Sequence, residues 1–219
     1  MRQPFQDRRE AGQQLATQLT DYADRLDVIV LGLPRGGVPI AYEISATLHV
    51  PLDVCLVRKL GVPGQKELAM GAIAPGDVMV LNRDVIRSLQ ITQAALDTVT
   101  AEEQQELNRR DRAYRGDRAF PDLRKHTVIL VDDGIATGST IRAAIATIRA
   151  AEAQAIVVAV PIAPAEVVKS LAAIVDRVVC LLMPEPLHSI GQWYENFDQT
   201  SDEEVRDLLR RGNAVSSAG

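Results

Sequence analysis

The chain has 219 residues, 47% of them apolar and 24% charged, which fits one soluble α/β domain with at most a small appendage. With 24 basic and 29 acidic residues the formal charge is −5, and no dense Lys/Arg run offers a nucleic-acid-binding segment. The apolar runs 28–33 and 156–160 are too short to span a bilayer, and MRQPFQDRRE lacks the apolar core of a leader, so a cytoplasmic protein is expected.

Residues 5–25 read as an amphipathic helix, and 28–33 as a buried strand. The tight turn Pro34-Arg35-Gly36-Gly37 follows, then a helix over 38–48 and a strand over 52–57. The Gly- and Pro-rich stretch 58–77 reads as a long mobile loop leading into a hairpin, with 78–82 its returning strand. The long charged helix over 91–115 has two readings, a solvated surface helix or an oligomer contact. A strand at 128–131, a helix at 139–151, a strand at 156–160, a helix at 165–173 and a strand at 178–182 complete the alternation. That order predicts a parallel sheet with helices on its faces.

The tail, 183–219, has a different texture. It holds the only tryptophan, Trp193, with His188, Tyr194 and Phe197 nearby, then an acidic-to-basic helix and a Ser/Ala end that reads as disordered. With no internal repeat and no domain boundary, residues 1–219 form one domain, its core about 26–182 and its tail a candidate hood. Cys55 and Cys180 lie in apolar runs without metal-ligand or redox spacing, and read as buried free thiols.

The chemistry concentrates in VILVDDGIATGSTIR, residues 128–142. A buried strand ends in Asp132 and Asp133, and a loop with two glycines and three hydroxyls then opens a helix. In a parallel sheet the crevice at the carboxyl ends of the strands receives ligands. The helix N-terminus points backbone N–H groups and the positive end of its dipole into that crevice, which makes an anion site. Gly134 and Gly138 let the backbone approach a phosphate, and Thr137, Ser139 and Thr140 supply hydroxyls. Two acids beside a phosphate repel it unless the ligand also brings hydroxyls or a divalent cation. A sugar phosphate with a free diol, together with Mg²⁺, meets both needs. Walker A spacing, GxGxxG, GxSxG and HExxH are all missing.

This segment resembles the motif of the type I phosphoribosyltransferases that binds phosphoribosyl pyrophosphate (PRPP): four apolar residues, two acids and a loop ending in TGxT, here VILVDDGIATGST. GLPRGGVPIA at 32–41 resembles the family's pyrophosphate loop, and LVRKLGVPGQKELAMGAI at 56–73 its Arg-Lys segment and flexible catalytic loop. The chain looks most like a bacterial group of predicted phosphoribosyltransferases that opens with F-x-D-R-x-x-A-G, here Phe5, Asp7, Arg8, Ala11 and Gly12.

The resemblance implies a Rossmann-like parallel sheet with a small hood. It also implies a glycosyltransferase (pentosyltransferase) of nucleotide metabolism that moves 5-phosphoribose from PRPP to a nitrogen of a nucleobase or related acceptor. Asp132 and Asp133 would then hold the ribose hydroxyls and Mg²⁺. Gly134, Ile135, Ala136, Thr137, Gly138, Ser139 and Thr140 would enclose the 5′-phosphate, and Arg35, Gly36 and Gly37 would meet pyrophosphate. For Arg35 a surface salt bridge is the competing reading. Arg58 and Lys59, closing a strand at the same sheet edge, and Lys66 on the loop would neutralise the leaving group, with Glu67 a weaker candidate. Hypoxanthine–guanine members carry an acid where this chain has Ala136, which points away from oxopurines. Trp193 and Tyr194 either stack on the acceptor or pin the tail to the core. The expected partners are PRPP and a small nitrogenous acceptor, with a homodimer and neither nucleic acid nor membrane. The alternative within the same superfamily is a regulator that senses PRPP without turnover.

Overall fold

In chain order the elements are α1 (Arg8–Thr17), β1 (Val28–Gly32), α2 (Gly37–Leu48), β2 (Leu52–Val54), β3 (Arg58–Val62), β4 (Gln65–Ala74), β5 (Val78–Leu81), α3 (Arg83–Ser88), α4 (Gln93–Arg115), β6 (Thr127–Val131), α5 (Ser139–Ala150), β7 (Ala155–Ile162), α6 (Ala165–Ala172), β8 (Arg177–Leu182) and α7 (Asp202–Ser216). They come from a computed structural model that describes residues 4–216, except the side chains of Glu67 and of residues beyond 212. Glu67 as a site residue, and the last residues of the Ser/Ala end, therefore fall outside what is described.

The main sheet is parallel throughout, in the order β2-β1-β6-β7-β8. Successive side chains of a strand point to opposite faces, and here both faces are covered. Val28, Val30, Ile129, Val131, Val157 and Ala159 face a core shared with α1, α2 and α7. Ile29, Leu31, Val128, Leu130, Ile156 and Val158 face a second core under α5 and α6. Double coverage explains why β1 and β6 are apolar at nearly every position. Both are buried along their whole length.

Three expectations need correction. The stretch 58–77 is no long loop: β3, β4 and β5 pair antiparallel as a second sheet of three strands. Its strands lie against α4 and α5, and Leu60, Val62, Met70 and Ile73 join one core with Leu96 and Leu107 of α4, so a composition rich in glycine still buries an apolar side. Arg58 and Lys59 accordingly open β3 and do not close a strand of the main sheet. The amphipathic helix expected over 5–25 is shorter, because Asp7 caps α1 by accepting from the Glu10 N–H at 2.9 Å and the helix stops at Thr17. The helix α4 is also not simply solvated. Leu96, Leu107, Tyr114 and Arg115 are buried, and it packs on β3 and α7.

No helix among the described residues is long and apolar enough to cross a membrane. Cys55 is buried and Cys180 half-buried, and neither forms a disulfide. Desolvation pushes the Cys55 thiol up to about 12 and the Cys180 thiol to about 11, which leaves both unreactive at neutral pH.

Candidate functional site

Where β6 ends, the chain emerges between two helix N-termini. Both α2 and α5 begin at a glycine, Gly36 and Gly138, without a side-chain cap. Away from this crevice, α1, α3 and α4 are capped by Asp7, Asn82 and Thr92. A helix start lacking a side-chain acceptor can offer N–H groups to a ligand, and the start of α5, where the Ser139 N–H makes only a 3.5 Å contact to Thr137 Oγ1, is of this kind. In α2 the Gly37 and Val38 N–H groups already donate to the Leu33 and Arg35 carbonyls, at 3.0 and 3.1 Å, and Pro39 has none. Gly138 has φ 78°, the left-handed region in which glycine is favoured.

The phosphate-type loop is held at one point and open elsewhere. The Ile135 N–H donates to the Ile162 carbonyl at 2.8 Å and its side chain is buried, so Ile135 anchors the loop to β7. Ala136, Thr137 and Thr140 are exposed. Ser139 Oγ accepts from Lys59 Nζ at 3.1 Å, which brings the second sheet to the mouth of the loop.

The turn after β1 closes on the acid pair. Leu33 N–H donates to the Val131 carbonyl at 2.8 Å, and the Pro34–Arg35 peptide is cis. A Cβ on Gly36 would lie 1.9 Å from Asp133 Oδ2, and one on Gly37 would lie 2.6 Å from the Val131 carbonyl oxygen. The Gly-Gly pair is thus required by closeness, since any side chain would displace the acid or the strand end.

The two acids differ. Asp133 Oδ2 accepts two hydrogen bonds from Arg8, from Nε at 3.0 Å and from the NH2 nitrogen at 2.8 Å. Arg8 also donates to the Asp198 carbonyl at 2.7 Å and lies 4.0 Å over the Phe197 ring. Asp132 has no such cation: its Oδ1 accepts from the Asp133 N–H at 2.9 Å. Burial, and then the neighbouring Asp133 charge, push the Asp132 carboxyl well above the usual carboxylate range.

Behind the pair the segment before α1 meets the segment before α7. Phe5 bridges to Tyr194, and the Tyr194 hydroxyl donates to the Asp133 carbonyl at 2.7 Å. The Tyr194 ring is buried between Phe5 and Phe197, with centroids at 5.6 and 4.9 Å, so it pins the tail and has no free face for a base. Trp193 stays half-exposed. A side chain on Gly134 would strike Ile190 of the tail, at 2.5 Å from Cγ2.

The expected cations are distributed unevenly. A cleft of about 200 Å³ is lined by Pro34, Arg58, Lys59, Thr140 and Arg110, the last contributed by α4. Arg58 lines it with its guanidinium paired to Glu103 at 2.5 Å. Arg35 lies 3.7 Å from Asp202, so the salt bridge weighed for it does form. Lys66 sits on β4, exposed and outside the residues lining the cleft. Sequence reasoning missed Arg8 and Arg110. The F-x-D-R signature marked Arg8 without revealing its target, whereas nothing in the charged run of α4 singles out Arg110.

A doubly wound parallel sheet with an acid pair at the carboxyl ends of its strands has the crevice in which such sheets bind ligands. The chain belongs to the phosphoribosyl transferase domain family, whose model matches residues 6–191. The Mycobacterium tuberculosis protein Rv0571c, named as a phosphoribosyl transferase, is 48% identical over 209 residues, 95% of this chain and 47% of that protein. The chain thus spans about half the length of the curated relatives it matches. The crystal structure of TT1426 from Thermus thermophilus is 38% identical, with a TM-score of 0.86 over 95% of this chain and 98% of that one. AQ2163 from Aquifex aeolicus shares the fold at 12% identity, with a TM-score of 0.50 over 92% of this chain and 84% of that one.

Proposed function

We propose that this domain binds PRPP with Mg²⁺ and transfers its 5-phosphoribosyl group to a nitrogen of a nucleobase or related acceptor. The observation that carries this reading is the acid pair set between the uncapped start of α5 and the close-packed Gly36-Gly37 turn. The start of α5 suits the 5′-phosphate, and Arg35 with the turn at Gly36 and Gly37 suits pyrophosphate. The carboxylates between them suit the ribose diol.

The residues fit a divalent ion that arrives with its ligand. Asp132 is desolvated beside Asp133 without a cation of its own, so added positive charge would relieve it. Among the described residues no group of three metal-ligating side chains exists, so most ligands of the ion would be ligand oxygens and water. When bound, Mg²⁺ would supply charge neutralisation to the phosphates. In the transfer the bond from the anomeric carbon to pyrophosphate oxygen breaks and a carbon–nitrogen bond forms, while the acceptor nitrogen loses its proton. Lys59, which bonds to the Ser139 hydroxyl, would hold the departing pyrophosphate, each charged hydrogen bond contributing about 1.5–3 kcal/mol. Arg35 and Arg58 would leave Asp202 and Glu103 to join it. Lys66 would act from the β3–β4 hairpin once that hairpin closes over the ligand, excluding water. With Tyr194 enclosed, stacking on the acceptor falls to Trp193.

The test is release of pyrophosphate from PRPP and Mg²⁺ across a panel of bases. Release with one base names the acceptor. Tight binding of PRPP without release under any acceptor would instead establish a sensor. Asp132→Asn with Asp133→Asn should abolish Mg²⁺-dependent PRPP binding in a folded protein, and unchanged affinity would sink the assignment.

A further inference from the structure

Nearly every described arginine has a side-chain partner. The exceptions, which make no side-chain hydrogen bond, no ion pair within 4.0 Å and no ring contact, are Arg83, Arg112, Arg118 and Arg206. Three of these, Arg112, Arg118 and Arg206, line one groove of about 570 Å³ between the end of α4 and α7, together with Arg210. All four are exposed, and Glu203 is the only acid in the lining. The fifth arginine of the lining, Arg115, is buried, with its guanidinium committed to Asp53 and Asp111.

The concentration of charge has no local explanation. The negative end of the α4 dipole favours a cation at Arg112. It does nothing for Arg118, which follows the turn at Gly116, or for Arg206 on another helix. Arg206 has Asp202 and Glu203 within one turn of α7 and makes no ion pair within 4.0 Å with either, although its charge is among those that lower the Asp202 carboxyl. Arg206 and Arg210 are four residues apart on α7, so like charges share one face. In a chain of net charge −5, this is positive charge gathered from segments some ninety residues apart, with Arg210 paired to Asp207 at 3.2 Å and Arg112 and Arg118 without an ion pair.

We propose that the groove is a second anion site, separate from the cleft at the sheet, which takes a small ligand carrying a chain of linked phosphates. Guanidinium forks match phosphate oxygens pairwise, and converging arginines suit an anion of several charges better than a single carboxylate. The volume lies within the range of about 300–1,000 Å³ usual for small-ligand sites. A nucleic-acid strand needs a basic track that continues beyond the contact. Here the surroundings turn acidic at Asp117, Glu204 and Asp207.

Inorganic tripolyphosphate is a suitable probe, titrated calorimetrically into the whole chain at low and at physiological salt. Arg112→Gln with Arg206→Gln should weaken binding at least about tenfold, as should Arg118→Gln with Arg210→Gln. Arg83→Gln, an equally unpartnered arginine elsewhere, should leave it unchanged. Arg35→Gln with Lys59→Gln, which disarms the cleft, should also leave a binding event of groove strength. Loss of all binding in that last variant, with full binding in the groove variants, would overturn the proposal, and so would no binding by the unaltered chain. A single-stranded oligonucleotide that binds more tightly than tripolyphosphate, and is lost in the groove variants, would overturn the small-ligand assignment. Circular dichroism on each variant confirms that the exposed substitutions leave the fold intact.

Discussion

Two carboxylates lie on the main sheet, Asp53 buried within it and Asp132 part-buried at its carboxyl edge, and their surroundings are opposite. Asp53, on β2, accepts from Arg115 Nε at 3.0 and 3.2 Å and from the Val54 N–H at 2.7 Å. Arg115 in turn is held by Asp111, by the Val54 carbonyl at 2.5 Å and by the Phe120 ring at 5.0 Å. Asp132, past the end of β6, accepts only from a neighbouring N–H, lies beside a second carboxylate, and feels Arg8 at a distance without bonding to it. The first arrangement satisfies its charges and ties α4 to the sheet. The second leaves a charge unanswered, which a fold tolerates at a place where something else is to bind. Burial alone therefore does not separate a structural acid from a functional one; the partner list does.

Breaking the satisfied site should have the largest effect. Arg115→Met leaves Asp53 buried without its cation and should cost about 3–5 kcal/mol. In a chain of this size that lowers the melting temperature by roughly 2–4 °C for each kcal/mol. A thermal melt unchanged from the parent would show that Asp53 does not depend on the pair.

The unsatisfied site should respond with the opposite sign. Because the folded Asp132 carboxyl lies above the ordinary carboxylate range, the native chain keeps its proton at pH values where the unfolded chain has lost it. Stability then falls as pH rises from the ordinary carboxylate value through the raised one, and stays lower above it. Asp132→Asn should remove that fall and raise the melting temperature at neutral pH. Melts from pH 4 to 8 in which the variant tracks the parent would refute the assignment.

Arg8→Lys makes a finer test, because it keeps the charge beside Asp133 and loses the fork. PRPP affinity should drop by roughly tenfold, the worth of one charged hydrogen bond. Full affinity would mean that Asp133 needs only a nearby positive charge. Smallest of all, Tyr194→Phe removes the hydroxyl at the Asp133 carbonyl and should cost about 1 kcal/mol in urea denaturation.

Much of this was legible in the chain itself, for reasons that differ by region. Doubly covered strands such as TVILV at Thr127–Val131 announce themselves by unbroken apolar character. The acid pair and its glycines stand together in sequence, so their meeting needed no tertiary knowledge. The second sheet was hidden because glycines and charges interrupt its pattern, and antiparallel pairing supplies what composition does not. Arg8, Arg110 and the arginine groove were hidden for another reason. Each draws meaning from residues far along the chain: Arg8 from Asp133 at a separation of 125 residues, Arg110 from the cleft it shares with Lys59, and the groove from arginines on α4 and α7.

That distance has a consequence for how the protein comes to be active. The wall behind Asp133 is closed by Phe5 against Tyr194, a contact between the segments before α1 and α7. Joining segments so far apart costs more chain entropy than pairing adjacent strands, so the sheet should assemble first and the wall last. In refolding, recovery of secondary structure should precede recovery of ligand binding, and the interval between them would measure how long the protein is folded but not yet competent.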